Sequence, residues 1–336
     1  MRLCGSAQRA RDNPKLVHAV RSRSELPEPS DGNFPQSMLT RRLSVPLHGA
    51  QVLAALALTT KSYAAEVAGH HALEPWQPTW SFEPWILACL ATTTLLYAIG
   101  VFRLWMRAGA GRGVSIRQVA AFCGGLLSLV VALLSPLDSL GDYLFSAHMA
   151  QHETLMLVAA PLLVLGRPLS VWTWALPFEW RRSTGQFFHQ PAWRVPWLII
   201  TGPLVAWLLH ALALWLWHVP AFFEAALANE AVHAFQHITF LLTALLFWWS
   251  VLGASTKRDK GIALVSVFTT FVHTGALGAL LTLSHTPWYP SYGTTAPTLN
   301  LTALADQQLG GLIMWIPAGA IYLLSGLALA AKWLDR

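Results

Sequence analysis

At 336 residues, with 54% hydrophobic and only 11% charged side chains, the chain is too apolar and too sparsely charged for a soluble globular protein of that size. Its formal net charge is +6, and the Lys and Arg gathered between apolar stretches suit anionic lipid headgroups and give no support to nucleic-acid binding. Cys4, Cys89 and Cys123 show no C-x-x-C spacing, so a thiolate metal site has no support, and Cys89 and Cys123 are expected as buried apolar filler.

Residues 1–37 are rich in Arg, Pro and Ser and lack apolar periodicity, a composition that favours disorder. A basic stretch from Met38 to Leu43, an apolar stretch over 45–60 and the run Ser62-Tyr63-Ala64 follow the order of a secretory signal, with a start at Met38 and cleavage after Ala64. An uncleaved extra helix is the alternative, disfavoured by Pro46, His48 and Gln51 within the apolar stretch. The expected division is 1–64 as extension plus signal, 65–84 as extracytoplasmic lead-in and 85–333 as membrane domain.

Seven apolar stretches follow, near or above the roughly 18 residues that a bilayer crossing needs, over 85–106, 118–136, 143–166, 197–217, 233–252, 261–283 and 309–331. Lys and Arg fall on one side only. Arg103, Arg107, Arg112 and Arg117 flank the first connection, Arg167, Arg181, Arg182 and Arg194 the third, Lys257, Arg258 and Lys260 the fifth, and Lys332 and Arg336 the tail. The opposite loops, 137–142, 218–232 and 284–308, hold none, so the positive-inside rule places them outside. The predicted fold is an all-α polytopic bundle of seven transmembrane helices, amino terminus outside and carboxyl terminus cytoplasmic.

The histidines gather at the outer side. His148 and His152 open the third span, His218 closes the fourth, and His233 and His237 open the fifth. Residues four apart stack on one helix face, so 148/152 and 233/237 each present two imidazoles side by side, with Met149 and Met156 nearby. Ionisable residues in a membrane are costly and usually face a pathway, so the paired stripes read as a functional site. His210, two turns deeper, and His285 read as ordinary hydrogen-bonded residues, Met149 and Met156 as packing, and Glu153 first as a carboxylate holding a histidine tautomer, with a proton acceptor or an interfacial residue as the alternatives.

Mixed imidazole and thioether ligation suits copper, especially Cu(I). Two histidines from different spans at matching depth are also an axial pair for b-type haem, and spacing does not separate the two. Hydrolysis has no support, because the run from His152 to Met156 lacks the second histidine of H-E-x-x-H.

Three further features stand out. Trp215 and Trp217, and Trp248 and Trp249 at the other end, read as interfacial aromatic belts. Gly275 and Gly278 allow close helix approach. Asp306 is placed to cap the seventh helix, Met314 lies less than three turns in, and Pro317 is expected to kink or break the helix.

The stretches HMAQH (148–152), WHVP (217–220), HAFQH (233–237) followed by FWW (247–249), LGALLT with PWYPSY (277–292) and DQQLGGLIMWIP (306–317) together resemble the CtaG-type assembly factors of caa-type cytochrome c oxidase. The likeness runs from Trp85 to Trp333. It implies a non-catalytic, multi-pass protein of the bacterial inner (cell) membrane that binds copper at its extracytoplasmic side and delivers it. Cytochrome c oxidase subunits, extracytoplasmic copper chaperones and the lipid bilayer are the implied partners. His148, Met149, His152, His218, His233, His237, Asp306 and Met314 occupy the family's motif positions and form the implied metal set. Copper import and a metal-free scaffold for oxidase subunits are the other readings. Gly310-Gly311 stands where the family usually has Ala-Gly, an exchange expected to matter little, and His70-His71 lies outside the likeness.

Overall fold

The computed structural model describes residues 76–254 and 256–334; the extension, the expected signal, His70 and His71 lie outside the described residues. Among the described residues every regular element is a helix. Five are long and apolar enough to cross a bilayer alone: α1 (Pro84–Ala108), α2 (Ile116–Leu133), α10 (Glu230–Leu252), α11 (Lys257–Leu283) and α12 (Ala303–Leu334). Two bent pairs raise the possible total to seven. α4 (Phe145–Leu165) turns by 53° into α5 (Pro168–Ala175), and α7 (Pro191–Ile200) turns by 61° into α8 (Pro203–Trp217). Shorter helices are α3 (Pro136–Gly141), α6 (Phe178–His189) and α9 (Pro220–Ala228).

Local chemistry sets these boundaries. Six helices begin with proline in the first turn, where its fixed φ fits and its missing N–H is no loss. Ser115 with Gln118 and Thr256 with Asp259 form reciprocal capping boxes at the starts of α2 and α11. Thr201, Gly202 and Pro203 interrupt the stretch 197–217 that reads as one span: Pro203 cannot donate backward, so the chain bends there. Between α4 and α5 the break is Gly166 followed by Arg167 in the left-handed region at φ 53°. Pro317, expected to kink or break its helix, does not end α12, which runs unbroken to Leu334.

Packing follows small residues. α11 and α12 lie against each other where a Cβ on Gly278 would sit 2.9 Å from the Gly311 carbonyl oxygen, so both positions need glycine. Outward faces carry Leu95, Phe102, Leu127, Val265, Phe268 and Leu324, all exposed, as lipid-facing surfaces require. Cys89 and Cys123 belong to those faces too. Their expected burial is corrected: in a bilayer an apolar side chain has an apolar environment on the outside of the bundle as well as within it.

The tryptophan belts are half corrected. Trp217 is buried and donates to Thr239 Oγ1 at 2.8 Å, and Trp248 is buried within the central core, whereas Trp215 and Trp249 face outward. α4 is not uniformly α-helical either. Thr154–Ala159, directly after His152 and Glu153, forms a π-helical turn, a wide turn often found at functional sites.

Candidate metal site

The site lies at the end of the bundle whose loops 137–142, 218–232 and 284–308 hold no Lys or Arg, where α4, α8, α10 and α12 meet. α4 carries His148, Met149 and His152, and its free N-terminal amides are satisfied from another helix. Asp306 of α12 accepts from the Phe145 amide at 2.6 Å, from the Ser146 amide at 3.1 Å and from the Ser146 hydroxyl at 2.5 Å. α10 starts at an Asn229 cap and carries His233, Gln236 and His237 on one face. His218 is the residue that ends α8.

Four imidazoles converge. The His148 ring lies 4.3 Å from His152, 5.1 Å from His233 and 6.1 Å from His237, centroid to centroid. His237 in turn lies 4.2 Å from His233 and 5.2 Å from His152. In His148, His233 and His237, one ring nitrogen apiece falls within 4.8 Å of the other two, a spacing that could hold a single ion. His148 and His152 are essentially inaccessible, yet neither ring makes a well-formed hydrogen bond among the described residues, although the Gln236 side chain and the Gly141 backbone lie beside His148. Nε2 in His233 and His237 and both amide atoms of Gln236 likewise make none. Buried polar atoms are almost always bonded, so this concentration of unpaired polar atoms, with one lone pair on each neutral imidazole, fits a bound cation.

His218 and Met149 form the adjoining part. His218 Nδ1 lies 2.6 Å from the Leu214 carbonyl and Nε2 lies 3.4 Å from Met149 Sδ. Met314 is buried in the same cluster as Met149, with Phe145, Phe223, Tyr289 and Tyr292.

Several expectations are corrected here. Asp306 caps α4, not its own helix, which Thr302 caps through the Ala305 amide at 3.1 Å. Both Asp306 oxygens accept hydrogen bonds that position the start of α4. Glu153 holds no histidine tautomer: its Oε2 and both His152 nitrogens lack hydrogen bonds among the described residues. Gly310 is not interchangeable with alanine, because a Cβ there would lie 2.4 Å from Phe145 Cδ1 and 3.2 Å from Met149 Cγ. His210 bonds Thr243 at 3.2 Å deeper in the bundle, and His285 is exposed, so neither joins the cluster.

Sequence reasoning missed the roof. The loop 218–232 contains α9, whose Phe223 is wholly buried, 5.0 Å from the His148 ring and 4.1 Å from Tyr289. Tyr289 donates to the His218 carbonyl and Tyr292 to the Gly141 carbonyl, each at 2.9 Å. Burial pushes both phenols upward, so they stay neutral donors. Glu224 accepts from the Ser291 amide at 3.3 Å and from its hydroxyl, fastening α9 to the loop 284–302. Gln307 receives the Trp288 amide at 2.5 Å, and Gln308 donates to Ser284, so the Asp-Gln-Gln run ties α12 to both α4 and that loop. Proline, glycine and aromatic residues near WYPSY were the available signal.

An all-helical, multi-pass membrane protein with a roofed imidazole cluster at one end of its bundle is the class these features define. The chain belongs to the cytochrome c oxidase caa3 assembly factor family (Caa3_CtaG), whose profile matches residues 95–336. It is similar to uncharacterized proteins of Mycobacterium bovis and Mycobacterium tuberculosis, 26% identical over 266 residues, and of Mycobacterium leprae, 25% identical over 265 residues. In each case the match covers 76% of this chain and 39% of the relative, so the chain spans well under half the length of these proteins. No solved structure matches it.

Proposed function

We propose that this assembly factor works by holding copper in the His148, His233 and His237 group and releasing it to a cytochrome c oxidase subunit at the extracytoplasmic face of a bacterial inner (cell) membrane. Copper is cargo here, and the work is non-catalytic. The observation that carries the reading is the convergence of these three ring nitrogens within 4.8 Å, among buried polar atoms that lack hydrogen bonds. Neutral imidazoles with a thioether at hand suit copper better than magnesium or calcium. A b-type haem is less well supported, because its macrocycle would need space that Phe223 fills beside His148 and Phe240 fills 4.6 Å from His152. Oxidase subunits and extracytoplasmic copper chaperones are the partners this reading requires.

The test is genetic and chemical together. Cells lacking the protein are complemented with the wild type or with H148A/H233A/H237A, and the copper content and activity of the purified caa-type oxidase are measured. The triple variant is expected to leave the oxidase short of copper and inactive despite normal membrane levels of the factor. A fully metallated oxidase in those cells would refute the proposal.

A further inference from the structure

The position of His218 settles its own tautomer. Nδ1 lies 2.6 Å from the Leu214 carbonyl, which only accepts, so Nδ1 carries the proton. In the neutral ring Nε2 then has a lone pair and no hydrogen. That lone pair faces Met149 Sδ at 3.4 Å, and a thioether has no hydrogen either. Two lone pairs do not bind each other. They converge where a cation belongs, and both side chains are buried, His218 at 3% exposure and Met149 at 0%. A charged His218 would place an uncompensated charge in the same apolar pocket.

Neighbouring contacts hold the pair in place. Tyr289 fixes the His218 backbone through its carbonyl, Asp306 fixes the start of α4 one turn before Met149, and Gly310 leaves room for the Met149 stem. The 3.4 Å separation matches two donors on one ion with bonds of about 2.0 Å to nitrogen and about 2.3 Å to sulfur at a near-tetrahedral angle.

We infer that His218 Nε2 and Met149 Sδ form a cuprous station, separate from the all-imidazole group; this rests on the copper reading proposed above. A neutral pair with one soft sulfur and no anionic ligand favours Cu(I) over Cu(II), whereas three imidazoles accept either state. The two stations are neighbours. The Phe223 ring lies 5.0 Å from that of His148 and 6.5 Å from that of His218, and the Phe240 ring 4.6 Å from that of His152 and 6.3 Å from that of His218, centroid to centroid. Movement between them is ligand exchange: the Cu–N bonds to His148, His233 and His237 break in turn as the bonds to Nε2 and Sδ form. No electron is transferred, and no proton leaves, since both acceptor atoms are already bare.

The experiment uses the full chain purified in detergent and loaded anaerobically with Cu(I), with copper-edge X-ray absorption as the readout. Wild type is expected to show one sulfur scatterer. The near-isosteric M149L is expected to lose it and to bind Cu(I) about tenfold or more weakly, with Cu(II) binding unchanged. M314L is expected to keep it. Copper bound by nitrogen alone in the wild type, or sulfur persisting in M149L, overturns the station and leaves the copper reading standing. A wild-type protein that binds no copper overturns both.

Discussion

The Trp248 indole donates to the Met156 carbonyl at 2.9 Å, within the π-helical turn that follows the histidines of α4. The Ala160 amide reaches back to Leu155, five residues away, so the carbonyl of Met156 would next be served by residue 161. That residue is Pro161, which has no N–H. Trp248 supplies the missing donor from α10, tying the helix of His148 and His152 to the helix of His233 and His237. Trp248→Phe should therefore leave a buried carbonyl unpaired and cost about 1–3 kcal/mol, read as a lower unfolding midpoint in detergent. Pro161→Ala restores a backbone donor, so the same substitution should cost clearly less in that background. Equal losses in both backgrounds would contradict this account.

Asp306 acts as a cap on α4. Asp306→Ala should destabilise by about 1–2 kcal/mol, through the lost bonds to Phe145 and Ser146, and weaken copper binding through displacement of His148 and Met149. Asp306→Asn keeps an acceptor oxygen and should retain most of the metal affinity. Loss of metal in the asparagine variant with an unchanged unfolding midpoint would make Asp306 a direct ligand instead.

Gly310 and Gly275 should respond differently to a methyl group. At Gly310 the new Cβ would lie 2.4 Å from the Phe145 ring, whereas at Gly275 the nearest atom, Trp315 Cδ1, is 3.6 Å away. Gly310→Ala should cost about 1–3 kcal/mol by overpacking and disturb the site, and Gly275→Ala should be near neutral. Paired thermal unfolding of the two variants checks the contrast.

Much of this molecule was legible in its sequence, because a bilayer imposes length and polarity rules that read directly from composition. The five long helices fall where the apolar stretches do, and the i, i+4 spacing brought His148, His152, His233 and His237 onto facing helices. What escaped depends on contacts between distant positions. Nothing local to Asp306 shows that it caps a helix 160 residues away, and nothing near Met156 announces Trp248. Phe223 escaped because α9 is too short to give a periodic signal. Cys89 and Cys123 were placed on the wrong side because hydrophobicity does not separate a lipid-facing position from a core position.

Asp142, in the loop between α3 and α4, gives the structure a pH dependence. Burial first, then the Asp138 charge, push its carboxyl from 3.8 up to about 7. The folded state therefore binds a proton that the unfolded chain releases between about pH 4 and pH 7. The stability this contributes is present at low pH and is lost as pH rises through about 7. Unfolding midpoints should fall between pH 5 and pH 8, and Asp142→Asn should flatten that slope; an equal slope in the variant would count against it.

The most direct test of the central claim is metal analysis, with an absorption spectrum, of the detergent-purified full chain beside H148A/H233A/H237A. The account predicts copper in the wild type, a marked drop in the variant to no more than the His218 and Met149 pair can hold, and no Soret band in either. Equal copper in both proteins, or a wild type that carries haem in place of copper, would contradict it.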